Sequence, residues 1–224
     1  RALVDAIGCA IGAHAAEPVA IARRLAALSH SDTPATLIGS GRRTTPEMAA
    51  FANGTMVRYL DFSDDYLNKD GPHPSDNIAA VLAACESSGA SGRDLLRGVA
   101  LAYEIVGQLV DNATFKFKGF DYVTETSIAS ALACANVFGL DRGRMAQCLA
   151  LAIAPNIALF QTRVGELSMW KGCAGPNASR NGLFAALLAR EGMTGPPSII
   201  EGPRGLFKQV TGPFEVGPLG GPGV

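Results

Sequence analysis

The strongest constraint on this chain is a punctuated series of apolar segments with helical period, many opened by a capping residue and several closed by glycine. Val19, Ala22, Leu25 and Leu28 repeat at three- and four-residue steps over Glu17 to Ser29, with Arg23 and Arg24 on a basic face. Thr44 with Glu47 three residues on predicts a capping box, with Pro46 in the first turn of a helix carrying Met48, Phe51, Ala52 and Met56. Ser75 predicts the cap of a helix running to Ser88 and stopped by Gly89. Ser91 with Asp94 opens another, through Leu95, Val99, Tyr103, Val106 and Val110. Residues 126–138 read as a small-residue helix ending at Gly139, and Asp141 opens the next, which breaks near Pro155. Asn177 to Arg190 reads as a long helix ending at Gly192. Only Ala35 to Gly39 is strand-like in this part of the chain. The expected fold class is therefore all-α, a large domain of packed antiparallel helices over residues 1–194.

Composition supports that reading. Apolar residues are 48% of the chain and charged ones 17%, enough for a real core, and abundant small residues let helix backbones approach. A formal charge of −1 gives no electrostatic footprint for nucleic acid. The longest uncharged run, Met145 to Thr162, contains Gln147, Pro155, Asn156 and Gln161, so it reads as a broken buried helix rather than a membrane span. The five cysteines form no Cys-x-x-Cys pair, and the apolar helical contexts of four of them suit small buried hydrophobes in a reducing, cytoplasmic compartment. Arg1 to Gly12 reads as the second half of an apolar helix, with residues expected upstream, and carries no secretory-signal pattern. From Gly195 to Val224 the composition turns rich in Gly and Pro, with strand-like pieces at Ser198–Ile200 and Phe207–Val210. Residues 195–224 are thus expected to be a linker and the start of an incomplete α/β lid domain.

Chemistry-bearing residues concentrate in the loop between the helix ending near Tyr59 and the one opened by Ser75. It holds Asp61, Asp64, Asp65 and Asp70 and ends at His73, between Pro72 and Pro74. An imidazole held by prolines beside carboxylates is what acid–base catalysis near neutral pH requires. Asp61, behind an apolar helix with Phe62 packed down, opposes the helix dipole, which predicts that it orients an imidazole or holds a cation. Asp64 and Asp65 read as solvated. A metal site of Asp61, Asp64, Asp65 and His73 would lack a second histidine and any recognised ligand spacing, so no metal is expected. A second stretch, Gly165 to Pro176, places Lys171 after Trp170 and before small residues and a helix start, a pocket for an anion such as a carboxylate, with Ser168 and Arg163 as added donors. Its glycines match no dinucleotide or phosphate-loop spacing. Lys116 and Lys118 are further candidate basic groups.

Three motifs, Asn53-Gly-Thr-Met-Val-Arg-Tyr-Leu-Asp-Phe-Ser-Asp-Asp, His73-Pro-Ser-Asp-Asn and Gly165-Glu-Leu-Ser-Met-Trp-Lys-Gly-Cys-Ala, resemble the MmgE/PrpD family. That family includes 2-methylcitrate dehydratase and cis-aconitate decarboxylase. The resemblance runs from Arg1 to about Phe214. It implies a helical domain with a smaller lid domain, a homodimer, no iron–sulfur cluster and no other cofactor, and a place in propionate metabolism. By motif match it implies catalytic roles for Asp61, His73 and Lys171, and a substrate contact at Asp65, where many members carry Thr. Further active-site His and Tyr residues of the family belong to the lid.

The chemistry so implied is that of a carbon–oxygen lyase. A tricarboxylate such as 2-methylcitrate loses a proton beside one carboxylate and hydroxide from the neighbouring carbon. A decarboxylase or an iminodisuccinate-type epimerase would use the same carbanion logic, and a non-catalytic helical interaction module is the alternative of another class. With no second cationic wall in view, residues 1–224 alone are expected to fold but not to turn over.

Overall fold

Eight α-helices run through the residues that the computed structural model describes, 1–220. They are α1 (Ala2–Gly12), α2 (Glu17–Ala26), α3 (Pro46–Arg58), α4 (Ile78–Ser88), α5 (Gly92–Asn112), α6 (Val123–Val137), α7 (Arg142–Ile153) and α8 (Ala174–Arg190). Strands β1 (Ala35–Thr36) and β2 (Arg43–Thr44) form one short antiparallel ladder, Ala35 opposite Thr44. The fold is all-α, as the periodicity predicts.

The central helix is α6, whose sequence of Ala, Ser and Thr leaves almost no polar face and whose residues are nearly all buried. Small side chains let α8 lie directly on it. A Cβ on Gly182 of α8 would stand 2.5 Å from the Ser127 carbonyl oxygen and 2.8 Å from the Ala131 nitrogen, so only glycine fits that crossing. The main core collects alanines, valines and cysteines of α1, α3, α4, α6 and α8. All five cysteines are free and buried, the small hydrophobes that the contexts of four of them predict. No single described helix is long and apolar enough to cross a membrane.

Several local signals act as read. Ser91 and Asp94 close a reciprocal capping box at the start of α5, and Asp141 accepts the Arg144 N–H at 2.9 Å to start α7. Gly89 ends α4 in the left-handed region, φ 68°. Others are corrected. Thr44 is not the start of α3: drawn into β2, it donates its hydroxyl to the Ala26 carbonyl at 2.6 Å, satisfying an end group of α2, and Pro46 opens α3 without a side-chain cap. Ser75 lies inside a 3₁₀ turn, Pro74–Asn77, and its N–H is taken by Asp64 at 3.0 Å, so α4 begins later, at Ile78. Phe62 does not pack down; it is 75% exposed, because the chain turns outward at Asp61.

The strand-like pieces of the tail are corrected too. Ser198–Ile200 is a turn and Phe207–Thr211 a π-helical turn. Leu206 and Val210, four residues apart, share one helical face and bury it against Ile105, Leu109 and Ile128 of α5 and α6. Each such side chain contributes about 1.5–3 kcal/mol when fully buried. That period of four overrides the β-propensity of the individual residues.

Candidate active site

The two motif-bearing stretches meet. Arg58 is the last residue of α3 and is 2% exposed. Three residues on, Asp61 adopts a left-handed conformation, φ 60°, which a short polar side chain tolerates and which ends the helix. The turn brings its carboxylate back onto the Arg58 guanidinium. From 110 residues away Lys171, in the 3₁₀ turn Met169–Gly172, donates to the other Asp61 oxygen. The approach is close because Gly172 has no side chain: a Cβ there would lie 3.2 Å from the Tyr59 ring. Arg58, Asp61, Ser168 and Lys171 line a cleft of about 460 Å³, with Tyr59, Leu167 and Met169 on its walls. Of the two roles the sequence left open for Asp61, its contacts match the holding of cations.

His73 stands behind Arg58 and is not part of that lining. Its Nε2 is 2.7 Å from Nη2 of Arg58, and its Nδ1 is 2.7 Å from the Asp64 carbonyl oxygen and 2.9 Å from Oδ1 of Asp65. Asp65, half-exposed, thus touches the imidazole. Asp64 is not merely solvated: one carboxylate oxygen accepts the Ser75 N–H and the other the Tyr103 hydroxyl at 2.6 Å. Asp70 is buried and accepts the Phe115 N–H at 2.7 Å, with Lys116 at 3.5 Å. Tyr66 and Asn68 both donate to Asp111 of α5. The loop carrying His73 is therefore fastened to α5 and to residues 115–116 along its length. Lys116 and Lys118 serve that periphery, Lys118 donating to the Lys208 carbonyl, and neither lines the cleft.

Arg163 is not a free donor. Its guanidinium bonds Asp121 at 3.0 Å and lies over the Tyr122 ring, 4.1 Å from the centroid. Tyr122 in turn meets the His73 ring edge-on at 6.1 Å. Ser168 is exposed at the cleft. The anion pocket expected at the start of α8 is occupied from within: the buried Asp76 carboxylate fills the space that a Cβ on Gly175 would need, 2.1 Å from Oδ2. Asp76 also lies 3.7 Å from Nε of Arg58. Sequence reading passed over Arg58, Asp76 and Tyr122. For Arg58 a signal existed, a lone cation at the end of an otherwise uncharged stretch, three residues before Asp61.

The family model of the MmgE/PrpD N-terminal domain matches residues 1–218. The chain belongs to the MmgE/PrpD family. It is 30% identical over 230 residues to the 2-methylcitrate dehydratase of Escherichia coli O157:H7, covering 93% of this chain and 46% of that protein. It is 32% identical over 174 residues to the mitochondrial 2-methylcitrate dehydratase of Yarrowia lipolytica, covering 72% and 34%. It is 28% identical over 229 residues to the alkylcitrate dehydratase phiI of a fungal species, covering 92% and 44%. The chain thus spans about half or less of the length of these relatives.

Within this MmgE/PrpD domain the electrostatics divide front from back. At the cleft, burial pushes the Asp61 carboxyl up, but hydrogen bonds from Lys171 and Arg58 outweigh it and hold the pKa at about 2. Behind, burial raises Asp76 more than Arg58, His73 and Arg163 lower it. Burial opposes the Arg58 charge, yet Asp76 and Asp61 together keep its pKa above the ordinary value. Burial lifts the Tyr122 hydroxyl to about 12 against the pull of Arg163. The arrangement presents an ionised carboxylate between two cations, with an imidazole in contact with one of them.

Proposed function

We propose that this chain is the helical part of a lyase that dehydrates 2-methylcitrate or a related tricarboxylate. The observation that carries the reading is the Asp61 carboxylate shared by Lys171 and Arg58 at the cleft. Two cations that hold one carboxylate are suited to holding another, that of the substrate, and to stabilising the enediolate that forms when the adjacent carbon loses its proton. The proton moves to a side-chain base, the C–O bond on the neighbouring carbon breaks, and the hydroxyl leaves as water once protonated. His73 is the proposed proton carrier, in contact with Arg58 rather than with Asp61. Lys171 is the proposed carboxylate ligand, and Ser168 a donor on the same rim. Asp65 is reassigned from substrate contact to support of the imidazole, and Arg163 to support of Tyr122, on the contacts each makes. The dehydratase names of the relatives support the substrate class.

The test is water loss from 2-methylcitrate by the full-length gene product, with cis-aconitate and iminodisuccinate assayed for decarboxylation and epimerisation. His73→Ala is expected to lose about a hundredfold or more in turnover. Lys171→Met is expected to weaken binding and turnover together. Full activity in both variants would overturn the proposal, and turnover of only one of the other two acids would move the reaction class.

A further inference from the structure

We propose that Arg58 is a positioning residue, one that selects the tautomer of His73. Its meaning for catalysis rests on the elimination proposed above; its substance rests on geometry alone. Nδ1 of His73 faces two acceptors, the Asp64 carbonyl oxygen at 2.7 Å and Oδ1 of Asp65 at 2.9 Å, so Nδ1 carries the hydrogen. Nε2 faces Nη2 of Arg58 at 2.7 Å. A guanidinium has donors and no acceptor, so Nε2 meets it with a lone pair. A hydrogen on Nε2 would set two donors head to head in a buried place, at the cost of an unmade hydrogen bond. Every polar neighbour of the ring therefore selects the Nδ1–H form.

Arg58 is itself held from both sides. Asp61 binds Nη1 at the cleft and Asp76 lies 3.7 Å from Nε in the interior. Arg58 stands between the imidazole and the cleft, and lines the cleft. The lone pair that accepts its hydrogen bond is the one that takes a proton once a substrate carboxylate draws the guanidinium forward. A histidine of the opposite tautomer would present N–H toward Arg58 and could not take a proton at Nε2.

The test is ¹⁵N NMR of the histidine rings in this chain, at a pH where the imidazoles are neutral, with His73 identified by comparison with His14→Gln and His30→Gln. The expected signature is a pyrrole-type Nδ1 and a pyridine-type Nε2. Arg58→Met is expected to shift the ratio toward Nε2–H by about tenfold or more, the worth of one hydrogen bond from a charged donor. Arg58→Lys, which keeps a donor, is expected to hold the ratio near the parent's, and serves if the Met variant does not fold around Asp76. A pyrrole-type Nε2 in the parent chain, or an unchanged ratio in Arg58→Met, would overturn the inference. Failure of 2-methylcitrate to react while the Nδ1–H form persists would count against the proposed reaction alone.

Discussion

Glu125 offers a direct measurement of how the site loop is tied to the core. It lies in the first turn of α6, fully buried, with its carboxyl against that of Asp70 from the loop carrying His73. Neither Glu125 oxygen has a donor among the described residues other than a proton shared with Asp70. Burial first, then the charge of Asp70 and the hydrogen bond to it, raises Glu125 well above its usual 4.5. The folded chain therefore keeps a proton that the unfolded chain releases. Stability from this group is complete below pH 4.5 and is lost as pH rises toward the folded-state value. Inside that window one extra bound proton makes stability fall by about 1.4 kcal/mol per pH unit. For a chain of this size 1 kcal/mol is worth about 2–4 °C, so the melting temperature should fall about 3–6 °C per unit from Glu125 alone. Glu125→Gln has the same shape and an amide that donates to Asp70 without titrating. Its melting temperature should therefore exceed the parent's increasingly as pH rises from about 5 to 6, by about 3–6 °C per unit. Burial also raises Asp76 and Asp121, and both chains keep that common slope. Thermal unfolding by circular dichroism at constant ionic strength measures it. Parallel curves would refute the shared proton.

Two stability predictions test the packing. Gly182→Ala forces a methyl against the α6 backbone and should cost about 1–3 kcal/mol, read as a lower denaturant midpoint at unchanged slope; an unaffected midpoint would show that α8 does not lie on α6 as described. Ser91→Ala opens the capping box of α5, which does not line the cleft, and should cost about 0.5–2 kcal/mol in the same titration while leaving any turnover of the full-length product unchanged.

Much of the fold was legible because its causes are local. Apolar spacing, the Ser91–Asp94 and Asp141 caps and the left-handed Gly89 act within a few residues of themselves, so the order and kind of the helices follow from the chain alone. The errors also have local causes. Thr44 and Ser75 are good caps by type, but Thr44 is drawn into the ladder with β1 and gives its hydroxyl to the Ala26 carbonyl, while Ser75 lies inside a 3₁₀ turn with its N–H on the Asp64 carboxylate. In the tail, β-branched and aromatic residues favoured strand, while Leu206 and Val210 had the helical spacing that decided the matter.

The candidate site divides along the same line. Residue type marked the acids and imidazole of one loop and the amine of another stretch separately, and the resemblance of their motifs to the family put Asp61, His73 and Lys171 together. Which carboxylate serves which partner was decided only in three dimensions. Asp61, Asp64, Asp65 and Asp70 look interchangeable in one loop, yet one holds two cations, one anchors Tyr103, one touches the imidazole and one is buried beside Glu125. Their assignments depend on Lys171, Tyr103 and Glu125, groups brought near by helix packing across 110, 39 and dozens of residues of chain. A carboxylate's role is set by what neutralises or desolvates it, and in this chain those neighbours come from elsewhere in the sequence.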